Sequence, residues 1–473
     1  MIKKLYASVR EFKRSTWLTP FLVAGEVAME ALIPYVIALL VNDINQGAGI
    51  PVILSYAWKL IALSLLSLLF GYRAGIHCAR ASTGFARNLR SDVFRNIQGF
   101  SFSNIDRFSN ASLVTRLTTD ITNIQQAFMM LIRTAIRAPL NLVFSFFMAF
   151  YMGGKMALIF VAVIPILGFG LLAIAKHAMP IFRKAFPMYD MLNNSVEENI
   201  KGIRVVKAFV REDYENEKFR NDSHNIRTIF TGAERLLALN GPLMQMCMYS
   251  VMLFVLYFGS HQIITTNGVA LDIGQFSTLL TYSFQILTSL MMISFLFVMM
   301  TFSAESAQRV CEALDEVSTI TSPSDAAEEV ANGSIDFEDV TFRYSEDAAH
   351  PVLSDINLHI RSGETIGIIG GTGSAKSSLV QLIPRLYDVT GGSVRVGGRD
   401  VREYDLETLR NSVAVVLQKN VLFSGTILEN LRWGKEDATE AECVEACRKA
   451  CADEFIRQFP DQYETKIEQG GTN

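Results

Sequence analysis

Six long apolar runs within residues 1–304 limit what this chain can fold into more than any other feature. The first covers 17–42, and the second begins near Pro51 and continues through ALSLLSLLFGY. The third spans about 128–152, and the fourth, MALIFVAVIPILGFGLLAIA at 156–175, carries no charge. The fifth follows Arg235 with no Asp, Glu, Lys or Arg until Asp272, and the sixth lies within 273–304, equally free of them. Each is long enough to cross about 30 Å of hydrocarbon at about 1.5 Å per residue. Burial in a soluble core is the alternative, and six such runs leave too little polar chain to cover them. Composition agrees: half of the 473 residues are hydrophobic, 19% are charged, and mean hydropathy is +0.26.

Lysine and arginine then set the expected orientation. Five lie before Trp17 (Lys3, Lys4, Arg10, Lys13, Arg14). The connection after the second run carries Arg80, Arg87, Arg90, Arg95, Arg107 and Arg116, and another dense set lies between Lys176 and Arg235. The links NDINQGAG (42–49) and HQIITTNGVALDIGQ (261–275) carry none, and YMGGK carries one. Both termini are therefore expected in the cytoplasm of a multi-pass cell-membrane protein. The start is basic and amphipathic, and the first apolar run lacks a small-residue cleavage site, so that run is read as an anchor that stays. A net charge of −4 offers no field for nucleic acid. The six cysteines show no disulfide-type spacing.

The two basic connections are long, and segments such as GIRVVKAFVREDYENEKF mix apolar and charged residues at helical spacing. Helices that continue past the bilayer would project well into the cytoplasm. Polar turns expected at their tips are FSNIDRFSN (102–110) and REDYENE (211–217), natural contact points for a cytoplasmic domain.

Residues 321–334 (TSPSDAAEEVANGS) read as a linker between a membrane domain, 1–320, and a soluble α/β domain, 335–473. SIDFEDVTFRY and INLHI read as strands. A third strand, ETIGIIG (364–370), leads into a glycine-rich turn and then the helix KSSLVQLIPRLY. The turn fits G-x-x-x-x-G-K-[ST] at Gly370, Lys376 and Ser377, with Ala375 where the second glycine is usual. In such a loop, Gly370, Gly371, Thr372, Gly373, Ser374, Ala375, Lys376, Ser377 and Ser378 surround the phosphates of ATP with backbone N–H groups at a helix start. Lys376 would reach the β- and γ-phosphates, and the Ser377 hydroxyl would hold Mg²⁺. If Ala375 has a positive φ, its Cβ costs about 1–2 kcal/mol, enough to weaken nucleotide binding about tenfold; a negative φ costs little. Tyr344 could stack on an adenine ring, and an aromatic at a strand end also serves as core. Gln418 ends the apolar strand SVAVVLQ, where its amide could meet Mg²⁺ and the attacking water.

Taken together these residues resemble an ABC transporter of the exporter type: one half, with a six-span membrane domain fused to a nucleotide-binding domain. The resemblance runs from FSFSNIDRFSNASLVTRLTTDITNIQ through NNSVEENIKGIRVVKAFVREDYENEKF and GVALDIGQF to Tyr344, the loop Gly370–Ser378, and Gln418 with KNVLFSGTILENL. It implies a dimer of halves, a heterodimer in many multidrug-type bacterial exporters and otherwise a homodimer. ATP and Mg²⁺ would be sandwiched between two nucleotide domains, and the tips at 102–110 and 211–217 would act as coupling helices. A membrane lipid environment and an amphipathic or drug-like small-molecule substrate are implied as partners, with no nucleic acid.

The rest of that family's machinery is missing here. A phosphate-loop ATPase needs an acidic residue at the end of a second apolar strand, and neither SVRVGG nor SVAVVLQ ends in one. The family's LSGGQ signature, Walker B acids and switch histidine are not found before the last residues, IEQGGTN. A shortened chain, or a deliberately incomplete subunit, is the expectation, with no hydrolysis by this chain alone. The second function class kept open is a non-hydrolytic membrane subunit that binds nucleotide or a partner.

Three further groups stand out. Glu26 and Glu30 lie one helical turn apart in the first run, and would either meet a cationic substrate or pair with a basic residue on another helix. Met244, Met246, Met248, Met252, Met291, Met292, Met299 and Met300 suit an adaptable apolar pocket or plain packing. Cys443, Cys447 and Cys451 would share one helical face, as a small-residue core stripe or a metal site.

Overall fold

The computed structural model describes residues 1–473 except 267–268, 346–347, 419–420, 469 and 472–473. Gly268 of GVALDIGQF and Lys419 and Asn420 after Gln418 therefore lie outside the described residues. The chain divides into two units, Met1–Thr319 and Ile320–Asn473.

The first unit is helical. A short α1 (Ile2–Ala7) precedes α2 (Lys13–Asn45) and α3 (Ile50–Gln98). After α4 (Phe102–Phe108) and α5 (Asn110–Thr115), a π turn at Arg116–Asp120 leads into α6 (Ile121–Ile132) and α7 (Thr134–Gly153). Next come α8 (Leu158–Lys201), α9 (Ile203–Ala208), α10 (Glu212–Leu237), α11 (Asn240–Thr266) and α12 (Ile273–Asp315). Among the described residues, five continuous stretches are long and apolar enough to cross a membrane: Arg10–Asn45, Ile50–Gln98, Asn110–Phe182, Glu212–Thr266 and Ile273–Asp315. The third of these holds two of the six apolar runs. Gly154, at φ +49° after α7, starts a 3-10 turn. Beyond it, Leu142–Phe150 and Val161–Pro165 line one apolar groove, so α7 and α8 fold back on each other.

Apolar residues from α7, α8, α11 and α12 form the largest core, around Phe160, Leu167, Val251, Val255, Leu279, Tyr282 and Ile286. The hydroxyl of fully buried Tyr282 donates to the Ala31 carbonyl of α2 at 2.7 Å, so its polar end is satisfied. A second core joins Val9, Phe85, Leu89, Val93, Ile121, Ile124 and Val310. At 49 residues, α3 is about 73 Å long at about 1.5 Å per residue, far beyond one bilayer crossing.

The tips differ from the expected turns. Residues 102–108 are helix α4, started by a capping box in which Ser101 and Asn104 satisfy each other's backbone N–H groups. The second connection is Gly202–Arg211, which holds α9, whereas 212–217 already belong to α10. Glu212, Asp213 and Glu215 crowd the first turn of α10, where the helix dipole favours negative charge. REDYENE is therefore a helix start rather than a turn.

In the second unit, 321–334 has no regular element beyond a bridge from Ala327 to Tyr404. A four-stranded antiparallel sheet follows, ordered β2-β1-β3-β4, from β1 (Ile335–Phe342), β2 (Leu353–Ile360), β3 (Gly391–Val396) and β4 (Arg399–Asp400). Its core is Phe337, Val340, Phe342, Val394, Val396, Tyr404 and Leu409, joined by Leu382 of α13 (Lys376–Leu382). Farther along are α14 (Leu406–Ser412), a small sheet of β5 (Gly425–Thr426) and β6 (Lys466–Ile467), then α15 (Ile427–Leu431) and α16 (Glu440–Lys449).

Two expected strands are not formed. Residues 364–370 and 413–417 are in no ladder, and Ile369 and Val416 are 98% and 90% exposed. A β-branched apolar run becomes a strand only where a neighbouring backbone takes its N–H and C=O groups. Among the described residues none does so here. The cysteine stripe also needs correction. Cys443 and Cys447 are buried with Leu428, Ile456 and Tyr463, but Cys451 lies beyond α16, exposed, at φ +57°. Of the methionines, Met246, Met252, Met291 and Met292 are exposed on the helices.

Candidate functional site

The glycine-rich turn sits between β2 and α13, whose inner face is held by Leu382 in the sheet core. Gly373 is at φ +85°, a left-handed conformation that glycine takes without a Cβ penalty. At Gly370 a Cβ would come within 2.5 Å of Ser374 Oγ, so a larger residue there would force Ser374 to move. Ser374 N donates to Gly371 O at 3.3 Å across the turn. Lys376 curls back over the loop and donates to Gly370 O (2.9 Å), Gly371 O (2.8 Å) and Ser374 Oγ (3.1 Å). Its ammonium is thus held over the same backbone that would face phosphate oxygens. Thr372 and Ser377 are exposed, Ser377 in the first turn of α13. These features suit a triphosphate with its metal: a closed loop at a helix start, one fixed cation, and an accessible hydroxyl.

Ala375 is the helix cap and has φ +61°, ψ +18°. The left-handed alternative is the one realised, at a cost of about 1–2 kcal/mol for a residue with a Cβ. Ala375→Gly is expected to remove most of that strain. If the loop is ordered by its ligand, the gain appears as severalfold tighter ATP binding. Otherwise it appears as a raised unfolding temperature. Titrating fluorescent ATP analogue and following thermal unfolding on the same protein separates the two, and no change in either would mean that the strain is relieved elsewhere.

Tyr344 lies just beyond β1, 46% exposed, with Phe342 and Tyr387 set edge-on at ring-centroid distances of 4.8 and 5.1 Å. Its hydroxyl is 2.8 Å from that of Ser378, a buried residue of α13, and 3.3 Å from Gln381 Oε1. The ring and the helix that ends the loop are therefore one assembly, a link that no spacing in the sequence signals. Gln418, by contrast, sits in an exposed bend, and no hydrogen bond joins it to the loop among the described residues.

In the first unit, Glu26 and Glu30 share one partner. Arg137 of α7 donates from Nη1 to Glu26 Oε1 at 2.6 Å and from Nη2 to Glu30 Oε1 and Oε2 at 2.8 and 3.0 Å. Glu26 is 6% exposed, and its Oε2 has no hydrogen-bond partner. The pairing alternative is the one observed. The missed signal was Arg137 itself, an arginine inside the third apolar run, which is costly in hydrocarbon unless paired. Toward the other end of α12, Arg309 pairs with fully buried Asp120, and Arg116 donates to Arg309 O at 2.9 Å and to Glu312 at 3.3 Å. These ion pairs join the π turn to α12.

Comparison with known proteins places both units. Residues 16–319 match the family described as ABC transporter transmembrane region, and residues 353–470 match the family described as ABC transporter. The uncharacterized ABC transporter ATP-binding protein YfiB of Bacillus subtilis is 30% identical over 472 residues, covering 100% of this chain and 82% of that protein. An ATP-dependent lipid A-core flippase of Desulfotalea psychrophila is 29% identical, with the same coverages of 100% and 82%. A multidrug efflux ATP-binding/permease protein of Mycobacterium tuberculosis is 31% identical over 94% of this chain and 37% of its own length. With a helical membrane region and a glycine-loop domain on one polypeptide, each matched in turn, the chain belongs to the ABC transporters, as a half-transporter of the exporter type.

Proposed function

We propose that this chain is one half of an ATP-driven exporter that moves an amphipathic or drug-like molecule across the cell membrane, with both termini in the cytoplasm. The observation that carries the reading is the closed loop Gly370–Ser378, with Lys376 bonded across it, in a chain that also holds the membrane helices. The domains behind this reading are 1–320 for the membrane and 335–473 for nucleotide, joined by 321–334.

In that role, the backbone of Gly371, Thr372, Gly373 and Ser374 lines the phosphate site. Lys376 exchanges its loop carbonyls for phosphate oxygens, and the Ser377 hydroxyl is the metal ligand. Tyr344 offers a ring face to adenine while its hydroxyl stays on Ser378. ATP with Mg²⁺ supplies the free energy that closes two nucleotide domains on each other. Gln418, which lies in an exposed bend, would be the residue that meets the metal and the attacking water. A second half, different or identical, completes the transporter. A second reading is a membrane subunit that binds nucleotide or a partner without turnover.

Inside-out vesicles carrying the full chain and a partner half distinguish the two. ATP-dependent uptake of a fluorescent amphipathic dye is the expected result. Labelling of the chain by a photoreactive ATP analogue without dye uptake or phosphate release, whichever partner is supplied, would instead establish the non-hydrolytic subunit.

A further inference from the structure

A polar cleft of about 370 Å³ lies where the start of α2 meets α3, and it belongs neither to the nucleotide site nor to the Arg137 cluster. Arg14, Ser15 and Leu18 line it from α2, and His77 and Arg80 line it from α3. We propose that this cleft binds the phosphate-bearing headgroup of an anionic membrane lipid, in the leaflet on the side where the N-terminus lies.

The charge pattern carries the argument. Cations around the cleft fall into two sets. Arg10 is paired with Asp92 at 2.6 Å, and Arg87 with Glu11 at 2.7 Å. Glu11 also lines the cleft, but its carboxylate is held by Arg87 and by Asn88 Nδ2 at 3.2 Å, so it is turned to protein donors. Arg14 and Arg80 make no ion pair or hydrogen bond among the described residues, and both are exposed. Arg73 stands on the same face of α3 as His77 and Arg80, at i, i+4 and i+7, and is likewise without an acidic partner among the described residues. His77 Nδ1 lies 3.3 Å from Ser15 Oγ, which fixes the ring against α2. Glu11 is thus balanced by Arg87, and Arg14 and Arg80 leave the cleft with positive charge in excess.

Its depth selects the ligand. Trp17 on α2 and Tyr72 on α3 are 63% and 64% exposed and lie just toward the apolar side of the cleft. Exposed Trp and Tyr of this kind mark the level of the lipid headgroups. Beyond them, Leu18 and the exposed Phe21 continue along α2 at helical spacing from Arg14, an apolar track for an acyl chain. Guanidinium groups match phosphate oxygens in forked geometry. Basic pockets between spanning helices on one leaflet side are suited to anionic headgroups. A soluble phosphate would use the same cations but not the apolar track.

Native mass spectrometry of the full chain released from nanodiscs that contain phosphatidylglycerol and phosphatidylcholine tests this. Wild type is expected to retain phosphatidylglycerol in preference to phosphatidylcholine. Arg14→Gln/Arg80→Gln is expected to weaken that retention roughly thirtyfold, the size of two arginine–headgroup attractions. Arg14→Lys/Arg80→Lys, which keeps the charge, should preserve most of it and show that the fold is intact. Equal phosphatidylglycerol retention by wild type and the glutamine pair would overturn the proposal. Arginine-dependent retention of inorganic phosphate, with no preference between the two lipids, would assign the cleft to a free anion and overturn the lipid as its source.

Discussion

Replacing Arg137 by leucine is expected to destabilise the membrane unit by about 3 kcal/mol, the low end of the range for breaking a buried ion pair by removing one partner. Among the described residues, Arg137 is the one cation bonded to both Glu26 and Glu30, and Glu26 leaves one oxygen unpaired. Without the guanidinium, two carboxylates one turn apart face each other. Glu26 lies about 28 Å along α2 from Asn45, and Arg137 about 24 Å along α7 from Gly153, at about 1.5 Å per residue. The Glu30 side chain is 31% exposed and that of Glu26 8%, so Glu26 is the more enclosed by protein of the two. Adding Glu26→Gln to Arg137→Leu should therefore recover more stability than adding Glu30→Gln. Thermal unfolding of the single and double variants in one detergent reads this directly. An unchanged midpoint for Arg137→Leu would show that the cluster adds nothing to stability, and would reopen the carboxylates to a cationic substrate.

Lys376→Ala is expected to weaken ATP binding ten- to a hundredfold, as loss of one hydrogen bond to a charged phosphate costs about 1.5–3 kcal/mol. The same substitution removes three bonds that hold the loop closed: to Gly370 O, Gly371 O and Ser374 Oγ. Two effects are thus mixed, and they separate by measurement. Loss of phosphate contact lowers affinity for ATP far more than for adenosine. Loss of loop order lowers the unfolding temperature with no ligand added. Titration with ATP and adenosine, beside thermal unfolding, assigns each share. If ATP and adenosine lose affinity equally, Lys376 does not touch phosphate and the loop reading fails.

How far the sequence was readable depended on the kind of constraint each residue carries. Apolar runs show through because bilayer thickness sets their length, and most of each lies in a helix, α2, α3, α7, α8, α11 or α12, although several of these helices run well past the apolar letters. The loop letters show through because Gly373 has a conformation that other residues rarely adopt. Ala375 was ambiguous for the converse reason: its letter is compatible with either sign of φ, and only the backbone decides. ETIGIIG and SVAVVLQ look like strands because hydrophobicity reports burial, whereas a strand also needs a partner, which local letters do not name. Glu26 and Glu30 were visible as a pair, but their charge balance came from Arg137, more than a hundred residues away along the chain. The tip at 203–208 was misplaced because charge density was read as a turn where it marks a helix start.

Tyr344 and α13 stand at a separation set by the 2.8 Å contact between the Tyr344 and Ser378 hydroxyls. The ring cannot drift from the helix without breaking that bond. Under the proposed function, with Tyr344 as the base platform and the loop as the phosphate seat, the pair would behave as a ruler. A nucleoside would reach only one mark and inorganic phosphate only the other. A molecule long enough to touch both would gain from a spacing already set before it arrives, so that length as well as chemistry would select what the site holds.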